Sequence, residues 1–206
     1  MSSDSSSNKK TQYIAPSEYS GTLFPNWVMR NFSQYKLPPI EIEAETDPCY
    51  RLMTDKKHFD FRRHQQFVAD YMQYSGPFRS LLIYHGLGSG KTCTAINIFN
   101  NLYREKENKW NVYMLIKASL RNDPWEKDLQ NCLTPATKTK QLSVINFIHY
   151  NAPNASDQFE EKLRETRDPE KHSIFYIDEV HEFIGTVLSN IRNDRGRARR
   201  IYDKII

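Results

Sequence analysis

The sequence predicts an α/β protein built on a parallel β-sheet, and three observations carry that prediction. Short apolar runs recur at Leu81–Tyr84, Trp110–Ile116, Leu142–Phe147 and Ser173–Ile177. Each is about the length of a strand, and the Trp110–Ile116 run is nearly continuously apolar, as a strand covered on both faces requires. Helix-period segments separate the runs, and strands alternating with helices give a parallel sheet. Finally, the polar residues best suited to chemistry directly follow the first and the last run, where the ligand site of such a sheet lies.

Taken in order, residues 1–20 are Ser-rich and polar, and are expected to form a disordered tail. Residues 21–57 form an aromatic extension. Phe24, Trp27, Val28, Phe32 and Tyr35 suggest a short helix with an apolar face, stopped by Pro38 and Pro39, with extended chain around Pro48. Such a segment is expected to pack on the main domain or on a partner. The main domain, residues 58–206, opens with a helix over Arg62–Tyr74 that puts Phe67, Tyr71 and Tyr74 on one face, and Gly76-Pro77 ends it. Leu81–Tyr84 reads as a short buried strand, followed by a glycine-rich turn and a helix over Lys91–Glu105. After the Trp110–Ile116 strand, Asp123-Pro124-Trp125-Glu126 reads as an N-cap, a proline at the first helical position and an acid at the third. A polar loop with Lys138 and Lys140 leads to the third strand. Asn151–Asn154 is a turn, and Ser156 is read as the cap of a charged helix running to about Thr166. The fourth strand ends at Asp178-Glu179-Val180-His181, followed by a helix of about ten residues and the basic stretch Arg192, Arg195, Arg197, Arg199 and Arg200. That stretch suits a solvated helix face as well as a phosphate-contact surface. No internal repeat is visible.

Bulk composition narrows the function classes. At 206 residues the chain holds one domain plus an appendage, or one domain and part of another. The net charge of +4 permits nucleic-acid contact without arguing strongly for it. Cys49, Cys93 and Cys132 are isolated and odd in number, which predicts neither a disulfide framework nor a cysteine metal site, and favours a reducing compartment. The six histidines are scattered, which disfavours a zinc site. No apolar run approaches a membrane-spanning length of roughly 18–20 residues, and the N-terminus lacks the apolar core of a signal peptide. A soluble intracellular protein is expected, so the sequons at Asn31 and Asn154 read as chance.

The stretch Leu81–Thr92 carries the strongest chemistry. Strand, glycine-rich loop, Lys-Thr and helix is the layout that holds nucleoside triphosphate phosphates. Gly86, Gly88 and Gly90 permit the backbone conformations and close approach by which the N–H groups of Gly88, Ser89 and Gly90 converge on an anion. The helix that follows aims its positive end at the same place. Lys91 is a point charge for the β- and γ-phosphates, and the Thr92 hydroxyl is a ligand for Mg²⁺. One departure stands out: His85 occupies the position of the leading glycine in the strict phosphate-loop pattern. Asp178 and Glu179 supply the complementary half. Asp178 is placed to hold Mg²⁺ opposite Thr92, and Glu179 to polarise the water that attacks the γ-phosphate. The catalytic set read from the sequence is therefore Lys91, Asp178 and Glu179.

Gly-Ser-Gly-Lys-Thr at 88–92 with Asp-Glu-Val-His at 178–181 resembles motifs I and II of superfamily 2 helicases and translocases, in the DExH form. The wider run Leu81–Ile96 is similar to helicase-like ATPases of nucleocytoplasmic large DNA viruses. That group includes the poxvirus-type early transcription factor small subunit and nucleoside triphosphate phosphohydrolase I. The similarity covers about Phe61 to Ile206. These helicases do not require the leading glycine, so His85 favours them over other loop NTPases. The resemblance implies a RecA-like first lobe using ATP and Mg²⁺, with Gln65 reading adenine through its carboxamide. An exposed helix-start residue is the alternative for Gln65. It also implies backbone contacts to nucleic acid by Lys117, Ser119 and Arg121. Asn146–Tyr150 occupies the place of a further contact motif, although its aromatics read better as core.

The same resemblance marks what has no match before Ile206: motif III, and motifs IV to VI with the arginine finger of a second lobe. In that fold the motif III strand lies between the strands of motifs I and II. A chain stopping at Ile206 is thus expected to be an N-terminal portion with a gap in its sheet, and to turn over poorly alone.

The leading expectation is the ATP-binding lobe of a helicase or translocase that couples Mg-ATP hydrolysis to movement on nucleic acid, DNA ahead of RNA. The alternative is a non-unwinding ATP-binding module of a viral transcription complex, with RNA polymerase or transcription-factor subunits as partners. A small-molecule kinase is disfavoured, because Asp-Glu-Val-His has no role there. If the protein is viral, the host cytoplasm, the virus factory or the virion is the expected location; no membrane association is expected.

Overall fold

The middle strand β1, Trp110–Ile116, is buried along its whole length, and the rest of the main domain is arranged around it. The computed structural model describes residues 24–37, 60–86, 88–106, 109–135, 137–138, 145–166, 168, 171–189 and 196–206. Expectations for the serine-rich tail, the Pro38–Pro48 stretch, Cys49, Lys140, Arg192 and Arg195 lie outside the described residues. β1 pairs in parallel with β2, Ile145–His149, on one side and with β3, His172–Ile177, on the other. The order is therefore β2-β1-β3, with Val112 opposite Ile145 and Ile174.

Because strand side chains alternate between faces, β1 feeds two cores. Val112, Met114 and Ile116 point to one face and join Ile96, Phe99, Trp125 and Leu129. Tyr113 and Leu115 point to the other, where Phe159, Phe183 and Ile201 meet them. The first face is covered by α2, Arg63–Tyr71, α3, Lys91–Glu105, and α4, Lys127–Cys132. The second is covered by α5, Ala155–Glu165, α6, Val180–Ser189, and α7, Arg197–Ile205. Helices on both faces of a parallel sheet are the expected three-layer α/β arrangement.

The aromatic extension packs on the main domain. Helix α1, Phe24–Asn31, brings Trp27 to 5.7 Å, ring to ring, from both Phe32 and Phe78. Phe32 in turn meets Phe67 of α2 edge-on at 5.2 Å, and Phe78 stacks on Tyr71 at 4.2 Å. The Tyr35 hydroxyl donates to the Asp70 carboxylate.

Three expectations are corrected. Leu81–Tyr84 is neither strand nor buried: residues 78–86 join no ladder, and Leu82 and Tyr84 are 71 and 94% exposed. A strand is held by its neighbours. Among the described residues, β3 pairs on one edge only, with β1, and no strand lies beside its outer edge. Ser156 is not a cap but the second residue of α5, buried and accepting a hydrogen bond from Arg200 Nη1 at 3.2 Å. Nor are Cys93 and Cys132 isolated, since they form a disulfide with Cα atoms 5.6 Å apart. Their 39-residue separation hides a contact that arises because α3 and α4 pack side by side on one face.

Candidate nucleotide site

The site is built at the N-terminus of α3. Gly88 and Gly90 both take positive φ, 73° and 81°, a region that side chains with a Cβ rarely enter. Gly90 is also closely approached, since a Cβ there would stand 2.7 Å from Gln65 Nε2. A Cβ at Gly86 or Gly88 would meet nothing within 4 Å, so open space borders the loop on that side. No side chain caps α3. The first-turn N–H groups of this 15-residue helix are thus left as anion donors.

The loop is partly closed on itself. Ser89 N–H donates to Gly86 O at 3.3 Å and Ser89 Oγ donates to the same oxygen at 2.7 Å. In this conformation, then, the Ser89 N–H, expected to face an anion, is engaged inside the turn. The carbonyl of Gly90 accepts from Thr94 N–H and Thr94 Oγ1, both at 3.0 Å, and from Gln65 Nε2 at 3.1 Å. Gln65 is 4% exposed, and its Oε1 accepts the Arg62 N–H at 2.9 Å. Its carboxamide therefore lies under the loop as a strut, with both polar ends engaged. Lys91 is exposed at the mouth, while Thr92 is half-buried. Desolvation holds the His85 imidazole below its usual range, helped by His64 and Lys91. Its buried Nδ1 has no hydrogen-bond partner among the described residues.

The acid pair sits at the carboxyl end of β3. Asp178 N–H continues the ladder to Leu115 O at 3.0 Å, and this fixes the side chain's base. Asp178 Oδ1 accepts the Glu179 N–H at 3.0 Å. Asp178 Oδ2 accepts the indole N–H of Trp125 at 2.7 Å. Glu179 is the one non-glycine residue with positive φ among the described residues, at 50°. A left-handed acidic residue at a strand-to-helix corner is held there by its surroundings, and such conformations gather at functional sites. Its Oε2 lies 3.4 Å from His181 Nδ1.

The donor set fits magnesium carried by a nucleotide. Thr92 and Asp178 offer hard oxygen ligands, and the glycine loop offers an open cradle beside a helix N-terminus. Further out, Lys117 Nζ pairs with Glu182 Oε2 at 2.5 Å, and Arg121 Nε pairs with Glu126 Oε1 at 2.9 Å. Arg121 also lies over the Phe147 ring at 4.9 Å. Two of the three residues expected to meet nucleic acid thus have acidic partners, and Ser119 is exposed. In the neighbouring motif, Ile148 and Tyr150 are core.

Sequence reasoning missed Trp125 and Asp128. Burial raises the Asp128 carboxyl above its usual range, opposed first by the nearby Thr92 hydroxyl. Trp125 was legible only as part of a helix start. Nothing in its spacing announces a bond to a residue 53 positions away.

Comparison with known proteins bears on this arrangement. The family model described as "Type III restriction enzyme, res subunit" matches residues 58–205. The chain is 42% identical over 196 residues to a putative ATP-dependent RNA helicase, R350, of Acanthamoeba polyphaga mimivirus, covering 90% of this chain and 23% of the relative. A second mimivirus putative ATP-dependent RNA helicase, R563, is 26% identical over 182 residues, 78% of this chain and 30% of the relative. Nucleoside triphosphatase I of Amsacta moorei entomopoxvirus is 27% identical over 146 residues, 69% of this chain and 21% of the relative. The chain spans less than a third of the length of each of these curated relatives.

Proposed function

As its match over residues 58–205 places the chain in the type III restriction enzyme res subunit family of helicase-like ATPases, we propose that it is the ATP-binding lobe of a nucleic-acid helicase or translocase. One observation supports this reading above the others. The left-handed glycines, Lys91 and Thr92 open α3, while Asp178 and Glu179 close β3, and the segment Trp125–Asp128 touches both Thr92 and Asp178.

Each side chain then has a defined task. Lys91 and the free N–H groups at the start of α3 balance the charge of the β- and γ-phosphates. Thr92 and Asp178 would hold the magnesium of Mg-ATP, which would supply charge to polarise the phosphoryl oxygens. Glu179 orients the attacking water and takes its proton. Gln65 supports the loop from below, and its remaining amide N–H and lone pair are what it can offer to adenine. Lys117, Ser119 and Arg121 lie on the turn after β1 and serve as the nucleic-acid contacts, with the ion pairs of Lys117 and Arg121 exchanged for phosphates on binding. The substrate is nucleic acid, DNA or RNA. The domain division is residues 1–20 as tail, 21–57 as aromatic extension and 58–206 as the ATP-binding lobe. Among the described residues no helix is long and apolar enough to cross a membrane.

A second reading is favoured by one observation: Glu182 and Glu126 already neutralise Lys117 and Arg121. On that reading the lobe binds ATP within a viral transcription complex, beside RNA polymerase or transcription-factor subunits, without unwinding. Steady-state ATPase assays of the full-length protein with and without single-stranded DNA or RNA, run beside strand displacement, separate the two. Nucleic-acid-stimulated hydrolysis abolished by Glu179→Gln supports the helicase reading. Hydrolysis indifferent to nucleic acid, with no displacement, contradicts it.

A further inference from the structure

We propose that Trp125 and Asp128 are positioning residues that together set the two magnesium-holding side chains, Asp178 and Thr92, and so determine how strongly nucleotide binding depends on magnesium. This rests on the assignment of those two residues as magnesium ligands. The inference begins with a coincidence of spacing. Trp125 and Asp128 are three residues apart where the chain enters α4, so they share one helical face. That face meets α3 and the end of β3 at once. The Trp125 indole N–H donates to Asp178 Oδ2 at 2.7 Å. The Asp128 carboxylate lies within 4.8 Å of the sulfurs of Cys93 and Cys132, and the Thr92 hydroxyl is near enough to oppose the rise in its pKa. One turn further on, Cys132 is bonded to Cys93, the residue after Thr92.

Each contact leaves its partner prepared for a cation. A hydroxyl has one donor and two acceptor lone pairs. A Thr92 proton turned toward Asp128 leaves the oxygen lone pairs for a metal ion. Asp178 is held at both oxygens, Oδ1 by the Glu179 N–H and Oδ2 by the indole. An ionised carboxylate has about four lone-pair sites, so each oxygen keeps one for a metal or its water. Trp125 is 3% exposed and locked in the core, so its N–H has little freedom to wander. Trp125 follows β1, the sheet neighbour of β3, and so it ties the loops after two adjacent strands. Outer partners of this kind typically change metal affinity 10- to 100-fold when removed.

The test uses the full chain and a fluorescent ATP analogue, titrated with magnesium and, separately, in EDTA. Trp125→Phe keeps an aromatic ring and removes the N–H; Asp128→Ala removes the acceptor, and Asp128→Asn restores a neutral one. Relative to wild type, Trp125→Phe and Asp128→Ala are expected to need about tenfold more magnesium for half-maximal enhancement of binding. Binding in EDTA should stay within about twofold, and Asp128→Asn should recover most of the loss. A merely structural role would weaken binding equally with and without magnesium, and that result overturns the proposal. So does an unchanged magnesium requirement in both variants while wild type remains magnesium-dependent. If wild type binds the analogue with no magnesium dependence, the assignment of Thr92 and Asp178 falls first, and this inference with it. Asp128 is half-buried on the surface of α4, so its variants keep the test open should Trp125→Phe fail to fold.

Discussion

Replacing Gly90 with alanine probes the loop at its most constrained point. Two independent costs arise. Alanine must adopt the φ of 81°, which costs about 1–2 kcal/mol in the left-handed region. Its Cβ would also stand 2.7 Å from Gln65 Nε2, and Gln65 cannot retreat freely because its Oε1 is held by the Arg62 N–H. Displacing it removes the Gln65–Gly90 hydrogen bond, a further ~0.5–1.5 kcal/mol. The sum is roughly 1.5–3.5 kcal/mol, which for a chain of this size lowers the melting temperature by roughly 3–14 °C. Urea unfolding of wild type, Gly90→Ala, Gln65→Ala and the double variant separates the two costs. On the Gln65→Ala background the clash is gone, so Gly90→Ala should cost only the backbone share, and the cycle should be non-additive. A Gly90→Ala variant within about 0.5 kcal/mol of wild type would refute the reasoning, since that is the size of an ordinary surface change. Strict additivity would refute the role given to Gln65.

Other consequences are equally direct. Alkylation without reductant should leave Cys93 and Cys132 protected. Reduction should then lower stability by about 3–4 kcal/mol, as closing a loop of this length implies, and labelling of Cys93 and Cys132 beforehand would contradict the pairing. His149 is held below its ordinary range by desolvation and then by Arg121, so the fold favours its neutral form. That contribution is present above about pH 6.5 and is lost as the pH falls through the lowered folded value. The melting temperature of wild type should therefore drop further between pH 7.5 and 5 than that of His149→Gln, and parallel profiles would count against it. Phe183 is fully buried, so Phe183→Ala should cost about 3–5 kcal/mol in urea unfolding. Leu188→Ala, at a position 58% exposed, should stay within about 0.5 kcal/mol.

How much of this was legible in the sequence depends on whether the signal is local. Strand β1 and helix α3 have the predicted ends, Trp110–Ile116 and Lys91–Glu105. The first is a continuous apolar run bounded by charge, and the second begins at a glycine that only a left-handed turn explains. At Asp123 the backbone is extended, φ −137° and ψ 120°, so the chain does turn there before Pro124. The Leu81–Tyr84 run failed because an apolar run reports a wish for neighbours, whereas a strand needs the neighbours themselves. The bond from Trp125 to Asp178, the nearness of Thr92 to Asp128 and the Cys93–Cys132 bridge depend on α3, α4 and β3 meeting in space. The resemblance to DExH helicases pointed to Lys91, Thr92, Asp178 and Glu179 as a set, but carried no signal for Trp125 or Asp128. It also suggested a free carboxamide at Gln65, where packing turns the side chain toward the loop backbone.

The proposed function requires Lys91, Thr92, Asp178 and Glu179 to act as one site for Mg-ATP. Isothermal titration of the full chain with a non-hydrolysable ATP analogue and magnesium tests it most directly, with wild type, Lys91→Ala and Glu179→Gln side by side. Wild type and Glu179→Gln should bind with similar affinity, because Glu179 acts on water rather than on the nucleotide, while Lys91→Ala should bind at least tenfold more weakly. Equal loss in both variants, or full affinity in Lys91→Ala, would contradict the account.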